Sequence, residues 1–353
     1  MKIRAFITHK KAEHFNDCQD RFSINTSTKS VALSDGMSQS WQQKIWAQLL
    51  VDTFCNSKDW IPSFENVCNL SPIWRKQVED YIQSLKNTKT KESIIYRNER
   101  CLAEGKSAGA TLVGIRFESD KWECNVLGDS CLIAKEGTEY RFGTSQDTEK
   151  FDNHPDFYDS DSRKQGRGDV KKINGVLSPE NRCILLVSDP FSDFLLEHKK
   201  LGDIDFYIDR LLEIKDHNDF ELIVVQWREL GMHNDDSTLI IIEYDGNDNL
   251  NILHQDDLNK LVQSNEVVAE KSISTQILGD EKRAFVDNQI KEKQKNISLD
   301  EFKEYLLKEM EIVFRKFNIS YWFQCKNKKR GKIEKSLDII AERIFDKYEI
   351  RKK

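Results

Sequence analysis

The sequence predicts an α+β fold followed by a mainly helical C-terminal region. Three observations lead to this fold class. Short apolar runs that are typical of strands fill the first part of the chain, and helical periodicity appears between them. A cluster of turn-forming residues at 245–249 then separates this part from a remainder with helical patterns. We therefore predict one domain over residues 1–245 and a mainly helical region over residues 246–353.

Strands are predicted where an apolar or alternating run is bounded by turn formers. They cover residues 3–8, 21–25, 31–34, 111–117, 122–127, 131–134, 182–188 and 238–243. Residues 221–226 fit either a strand or a helix, because a short apolar run does not distinguish the two. Residues 143–174 are rich in Asp, Ser and Gly and predict a long irregular segment, of the kind that usually forms a lid or is mobile.

Helices are predicted where apolar residues recur every three or four positions. Trp41, Ile45 and Leu49 form one such series, and residues 72–85 form another with Pro72 in its first turn. Residues 86–106 are charged and give no clear prediction. In the C-terminal region an apolar stripe begins at Leu299 after a capping box, and a second begins at Ile333. These helices are expected to pack on each other or on the first domain, or to bind a protein partner.

Composition excludes several classes of protein. The chain of 353 residues carries 54 Lys and Arg against 60 Asp and Glu, so nucleic-acid binding through bulk charge is not expected. The exception is residues 326–353, with 11 basic and five acidic side chains, which we interpret as a solvated helix face; a nucleic-acid or acidic partner is the alternative. No run of 18 apolar residues exists, so no membrane span is predicted. The eight cysteines lack CxxC spacing, which favours reduced thiols in the cytoplasm.

Aspartates lie at the ends of several predicted strands. Asp20 precedes the second strand and Asp35 follows the third, while Asp189 follows residues 182–188 and Asp235 precedes residues 238–243. Carboxylates that converge at strand ends make a hard-oxygen site suited to magnesium or manganese. Aspartate is also common in turns at strand ends, so spacing alone leaves a structural role open.

Six short motifs occur in a fixed order. They are DCQDR at 17–21, LSDGM at 33–37, AGATL at 108–112, LGDS at 127–130, VSD at 187–189 and DDSTL at 235–239. In these motifs the chain resembles the metal-dependent protein phosphatases, also called protein phosphatase 2C-like, over about residues 1–245. The first motif, preceded by Thr8 and His9, is similar to a bacterial CQD-type branch of that family.

The resemblance implies an α-β-β-α sandwich, in which two antiparallel sheets pack together and helices flank them. It also implies a cytoplasmic signalling enzyme that hydrolyses phosphoserine and phosphothreonine in proteins. In that family two Mn²⁺ or Mg²⁺ ions, with a third ion in some members, activate the attacking water.

The resemblance also implies roles for individual residues. Asp20 and Asp35 would be catalytic, and the metal ligands would be Asp35, Gly36, Asp189, Asp235, Gln19 and Asp129. Asp35 would bridge two ions with help from the Gly36 carbonyl, and Asp20 would orient a metal-bound water. Asp189 and Asp235 would complete the first metal site, while Asp129 would share a third, weaker ion with Asp189.

The chain departs from the family pattern at several positions. Pro190 stands where the family motif has glycine, and proline fixes φ and lacks an N–H. Phe15 stands where many relatives carry a phosphate-binding arginine, so we predict that His9 or Lys10 binds phosphate instead. Gln19 replaces a glutamate and lacks its charge. These departures leave a pseudophosphatase open, and a hydrolase of a small phosphorylated metabolite is a third, more distant reading.

Overall fold

A computed structural model describes residues 1–146, 155–164, 166–178 and 181–263 of the chain. The chain divides into two compact units, Met1–Glu266 and Val267–Lys353. The first unit ends later than the predicted boundary at residue 245, because a strand at Asn251–Gln255 still pairs within its sheet. The predicted helices around Leu299 and Ile333 lie outside the described residues.

Within the described residues, the elements with defined bounds are 14 strands and seven helices. In chain order they are β1 (Lys2–Thr8), β2 (Arg21–Asn25), β3 (Ser30–Ser34), α1 (Gln43–Asn56), α2 (Phe64–Cys68), α3 (Ser71–Lys86), α4 (Glu92–Ala103), β4 (Gly109–Ala110), β5 (Leu112–Glu118), β6 (Lys121–Leu127), β7 (Cys131–Glu136), β8 (Glu139–Gly143), β9 (Phe157–Asp159), β10 (Gly166–Arg167), β11 (Lys171–Val176), β12 (Cys183–Val187), α5 (Asp189–Leu201), α6 (Ile204–Leu212), α7 (His217–Glu229), β13 (Ser237–Glu243) and β14 (Asn251–Gln255). Residues 258–263 are helical as well.

Two large sheets pack face to face. One has six strands in the order β14-β1-β13-β12-β7-β8, and the other has five in the order β11-β6-β5-β3-β2. Every pairing in these two sheets is antiparallel except that of β1 with β14. A small third sheet joins β10, β9 and β4. The predicted sandwich is therefore confirmed.

The central strands β12 and β13 of the six-stranded sheet carry apolar side chains on both faces, because both faces are covered there. In β13, Ile240 and Ile242 lie in the core between the sheets, whereas Leu239 and Ile241 pack against α5, α6 and α7. The outer face of the five-stranded sheet is covered mainly by α1 and α3. This double coverage explains why the strands read as continuous apolar runs.

Several elements differ from the sequence predictions. The segment 143–174 is not irregular throughout, since its described part contains β9 and β10 and the start of β11. Residues 221–226 belong to a helix, α7. The uncertain segment 86–106 holds α4, and β8 was not predicted. No helix among the described residues is long and apolar enough to cross a membrane.

Candidate metal centre

Strand register brings four of the predicted site segments to one end of the six-stranded sheet. Thr8 at the end of β1 pairs with Ser237 at the start of β13. Val187 at the end of β12 pairs with Leu239 on one side and with Cys131 at the start of β7 on the other. The residues just beyond these strand ends, among them Lys10, Asp129, Asp189 and Asp235, are therefore held at the same edge.

The other sheet supplies Asp35 from the end of β3. The Asp35 amide donates to Thr111 Oγ1 (3.0 Å), and the Thr111 amide donates to the Asp35 carbonyl (2.9 Å). The Thr111 hydroxyl also contacts the Ser130 hydroxyl at 2.8 Å, so the AGATL and LGDS motifs meet behind Asp35. These motifs fix the backbone from which the Asp35 carboxylate projects.

Gly36 follows Asp35 at a point where no side chain fits. A Cβ added there would lie 2.8 Å from Gln43 Cγ and 3.1 Å from the Gln19 carbonyl oxygen. This close approach joins the Gln19 loop, β3 and the start of α1 at the edge of the site.

Six aspartates gather at this end of the sandwich, namely Asp20, Asp35, Asp129, Asp189, Asp235 and Asp236. Burial and then repulsion from Asp20, Asp189, Asp129 and Asp235 raise the pKa of Asp35 well above its usual range. A bound cation would relieve mutual repulsion of this kind among neighbouring carboxylates.

The other carboxylates respond in the same way. Burial and the nearby carboxylates, Asp129 first among them, raise the pKa of Asp189. Burial followed by repulsion from Asp236 raises the pKa of Asp20 to about 7. Burial is likewise the main cause that raises the pKa of Asp129 to about 7. The cluster is therefore unfavourable as a set of bare carboxylates at neutral pH.

Three buried oxygens in the cluster have no hydrogen-bond partner. They are Gln19 Oε1, Asp20 Oδ1 and Asp129 Oδ1. Buried acceptors are almost always satisfied, so these three call for a cation or a donor that comes from outside the chain. Carboxylate and amide oxygens suit Mg²⁺ or Mn²⁺, and in this respect the residues fit the ions that the resemblance implies.

Direct coordination by the side chains alone is incomplete. Among the described residues, no three His, Cys, Asp or Glu side chains are arranged to hold a metal ion by themselves. Mg²⁺ normally keeps several of its waters and uses only one or two protein carboxylates. A site that is shared with water is therefore compatible with this arrangement.

Lys10 reaches the cluster, whereas His9 does not. Lys10 Nζ lies 2.9 Å from Asp235 Oδ1 and donates to Ser38 Oγ at 3.1 Å. The His9 ring packs edge-on against Phe15, with 4.5 Å between the ring centroids. Of the two predicted phosphate-binding residues, only Lys10 places a charge at the site.

Asp236 is a site residue that the sequence analysis did not assign. Its Oδ1 accepts from the Lys10 amide (3.0 Å) and its Oδ2 accepts from the Gln19 amide (2.7 Å). One buried carboxylate thus ties together the loops that carry Lys10 and Gln19. The second aspartate of the DDSTL motif indicates a further carboxylate near the site. Only the fold reveals that the Asp236 carboxylate faces the loops of Lys10 and Gln19.

A comparison with protein-family models identifies the domain. The model described as protein phosphatase 2C matches residues 10–221, which is more than half of the chain. The chain belongs to the protein phosphatase 2C family. The resemblance drawn from the six motifs is confirmed, and the domain is that of a metal-dependent protein phosphatase; its place in a CQD-type branch stays a prediction.

Solved structures of phosphatases are similar to this chain at low sequence identity. A bacterial serine phosphatase is 15% identical with a TM-score of 0.43, covering 69% of this chain and 98% of its own. Stp1 from Staphylococcus aureus is 15% identical with a TM-score of 0.41, over 69% and 95%. The catalytic domain of PstP, solved with two manganese ions, is 16% identical with a TM-score of 0.39, over 68% and 96%. The comparison with curated proteins gave no significant match.

Two departures from the family pattern are accommodated by the fold. Pro190 lies in the first turn of α5, where a helix needs no backbone N–H and where the φ of proline is favourable. Phe15 is only 4% exposed and contacts the rings of His9 and His217, so it is a core residue.

His233 is exposed, and its Nε2 is 3.8 Å from Asp193 Oδ2.

Proposed function

We propose that this chain is a Mn²⁺- or Mg²⁺-dependent phosphatase that hydrolyses phosphoserine or phosphothreonine in cytoplasmic proteins. The observation that carries the proposal is the cluster of buried aspartates with three unpartnered oxygens, in a member of the protein phosphatase 2C family. The catalytic domain, predicted over residues 1–245, would extend to Glu266, because β14 pairs within its sheet. The remainder, Val267–Lys353, would be a regulatory or docking region that binds a protein partner.

The ligand assignment follows the motifs. Asp35 and the Gly36 carbonyl would help to hold two ions, Asp189 and Asp235 would complete the first site, and Gln19 would contribute to the second. Asp129 with Asp189 would hold a third, weaker ion. When bound, such ions lower the pKa of a water molecule and neutralise charge on the phosphoryl oxygens.

Asp20 is placed to orient a water molecule. The Thr238 hydroxyl donates to Asp20 Oδ2 at 2.7 Å, which fixes the plane of the carboxylate, and Oδ1 is left without a partner. Oδ1 can accept a hydrogen bond from the attacking water and hold it in line with the phosphorus atom.

Lys10 is our proposed phosphate-binding residue. Its ammonium neutralises Asp235 in the protein alone and lies at the mouth of the cluster. When a cation engages Asp235, the Lys10 ammonium is free to contact a phosphoryl oxygen. It would supply the positive charge that Phe15 cannot.

Manganese-dependent release of phosphate from a phosphoserine peptide tests the proposal. Wild-type protein should release phosphate only when the metal is present, and Asp35→Asn should abolish release. Asp80→Asn is a matched control, because Asp80 is an exposed aspartate on α3. Metal-independent release, or equal release by Asp35→Asn, would reject the proposal.

The second candidate is a pseudophosphatase that binds a phosphorylated partner without hydrolysis. It is favoured by two features of the site, the uncharged Gln19 and the Lys10 ammonium that already occupies Asp235. Calorimetric titration with manganese distinguishes the two functions. Two binding events support the enzyme, and the absence of binding supports the pseudophosphatase.

A further inference from the structure

Two cationic side chains lie together beside the carboxylate cluster. Arg21 begins β2 directly after Asp20, and Lys44 lies in the first turn of α1. Both side chains are partly buried. Arg21 donates to the Cys18 and Asp20 carbonyls and Lys44 to the Asn16 carbonyl, so both side chains contact the loop that carries Gln19. Burial and then repulsion from Arg21 lower the pKa of Lys44.

Neither cation has a carboxylate partner in the part of the chain that the structure describes. Arg21 Nη1 donates to the carbonyl oxygens of Cys18 (2.9 Å) and Asp20 (2.5 Å), and Lys44 Nζ donates to the Asn16 carbonyl. Asp17 and Asp236 attract Lys44, and Asp20 and Asp236 attract Arg21, but none of these carboxylates forms an ion pair with either cation. Partial burial of two like charges is costly unless an anion compensates them.

More exposed cations elsewhere in the domain are paired. Lys76 Nζ lies 2.8 Å from Asp80 Oδ1, and Arg100 Nε lies 2.7 Å from Glu104 Oε1. Exposed cations thus form direct ion pairs, which contribute little to stability, whereas the partly buried Arg21 and Lys44 form none among the described residues.

The start of α1 adds further positive potential. Its N-cap residue makes no side-chain capping bond, and its first turn has no acidic residue. The N-terminus of a helix carries a partial positive charge and unpaired N–H groups, which favour an anion. This contribution reinforces that of the two side chains.

The cation pair adjoins the proposed second metal site. Gln43, the neighbour of Lys44, is the residue whose Cγ approaches Gly36 most closely, and the Gln19 carbonyl lies on the same side of Gly36. Arg21 holds the carbonyl oxygens on both sides of Gln19 in the chain. Because the pair adjoins the proposed site, it would meet side chains that flank the phosphoserine in an extended peptide.

We propose that Arg21 and Lys44 form a subsite for a second anionic group, a carboxylate or a phosphate, on the peptide that carries the scissile phosphoserine. This subsite rests on the proposed phosphatase function for its substrate, but its affinity for an anion does not. The phosphatase would therefore prefer acidic or doubly phosphorylated segments.

The first arm of the test measures anion binding without metal. Inorganic sulfate is titrated by calorimetry into the full chain in the presence of a chelator. We expect wild type and Lys44→Arg to bind sulfate, and Lys44→Met to bind at least fivefold more weakly. Lys76→Met is the matched control and should bind as wild type does. Absence of binding to wild type, or equal binding by Lys44→Met, overturns the subsite.

The second arm compares phosphoserine peptides in the presence of manganese. Three peptides carry aspartate, a second phosphoserine or only neutral residues beside the scissile phosphoserine. The ratio of kcat/KM for each anionic peptide to that for the neutral peptide should be about fivefold in wild type and near one in Lys44→Met. A ratio near one in wild type for both anionic peptides overturns the subsite, whereas a high ratio for one of them identifies which anion it takes.

The two arms separate the failure of the subsite from that of the proposed function. If no peptide is hydrolysed, the phosphatase proposal fails and the sulfate titration alone decides the subsite. Circular-dichroism melting of Lys44→Met and Lys44→Arg establishes that both variants are folded, so that a loss of binding reflects the charge.

Discussion

We expect His217 to make the domain less stable at alkaline pH. The residue begins α7, and its Nδ1 lies 2.8 Å from Asp256 Oδ2, while its Nε2 lies 3.5 Å from Glu221 Oε1. Burial opposes the charge on the ring, but the hydrogen bonds to Asp256 and Glu221 outweigh burial and raise the pKa of His217 to about 9. The imidazolium is therefore stabilised in the folded state.

The sign and size of the effect follow from linkage. A folded-state pKa of about 9 against an ordinary 6.5 corresponds to about 3 kcal/mol at about 1.4 kcal/mol per pKa unit. The side chain is 19% exposed, so we expect about 2 kcal/mol after screening by solvent. Because the folded pKa is raised, this stability is fully present below pH 6.5 and is lost as the pH rises through about 9.

The assay is urea denaturation of wild type and His217→Gln at a series of pH values from about 6 to 10. Glutamine cannot carry the charge, so the difference in free energy of unfolding between the two proteins should shrink by about 2 kcal/mol across this range. His14→Gln is the control, because His14 is an exposed histidine. A difference that stays constant with pH would refute the reasoning.

Three further substitutions probe the site and the core. Gln19→Glu adds a carboxylate at the second metal site and should tighten manganese binding about tenfold by calorimetry; unchanged affinity would mean that position 19 does not face an ion. Thr238→Val removes the hydroxyl that donates to Asp20 Oδ2 at 2.7 Å, and it should lower kcat about tenfold with little change in KM. A change confined to KM would contradict the role of Asp20 in orienting water. Gly114→Ala places a Cβ 2.7 Å from the Phe54 ring and should lower the free energy of unfolding by about 2 kcal/mol, measured by urea denaturation. Adding Phe54→Leu to this variant should restore part of the lost stability. Full stability of Gly114→Ala alone would show that the ring moves freely.

Local sequence patterns were sufficient for elements whose burial is simple. The runs that became β1, β12 and β13 are mainly apolar because both faces of their sheet are covered, and their positions were predicted within one or two residues. The helix α7 was within reach as well, since Asp216 caps it and Phe220, Val224 and Trp227 share one buried face. The apolar run at residues 221–226 is too short to reveal the spacing of Phe220, Val224 and Trp227.

Other elements were missed because their stability is not local. Only Asn98 of α4 is buried, so the helix shows no apolar core stripe. Strand β8 is short and alternates charged with aromatic residues, and its pairing with β7 follows from proximity in the chain and from packing against α6. Strand β14 gains its partner, β1, from the opposite end of the domain.

The sequence by itself determined the family and the sandwich and predicted all of the clustered aspartates except Asp236, because the motifs lie next to strand ends and keep a fixed order along the chain. Only the tertiary structure decided what surrounds those aspartates. In the tertiary structure the Lys10 ammonium pairs with Asp235, the Asp236 carboxylate joins the loops of Lys10 and Gln19, and Lys44 lies beside Arg21. These contacts join residues far apart in the chain, and their electrostatic energies depend on distance and burial, which sequence spacing does not contain.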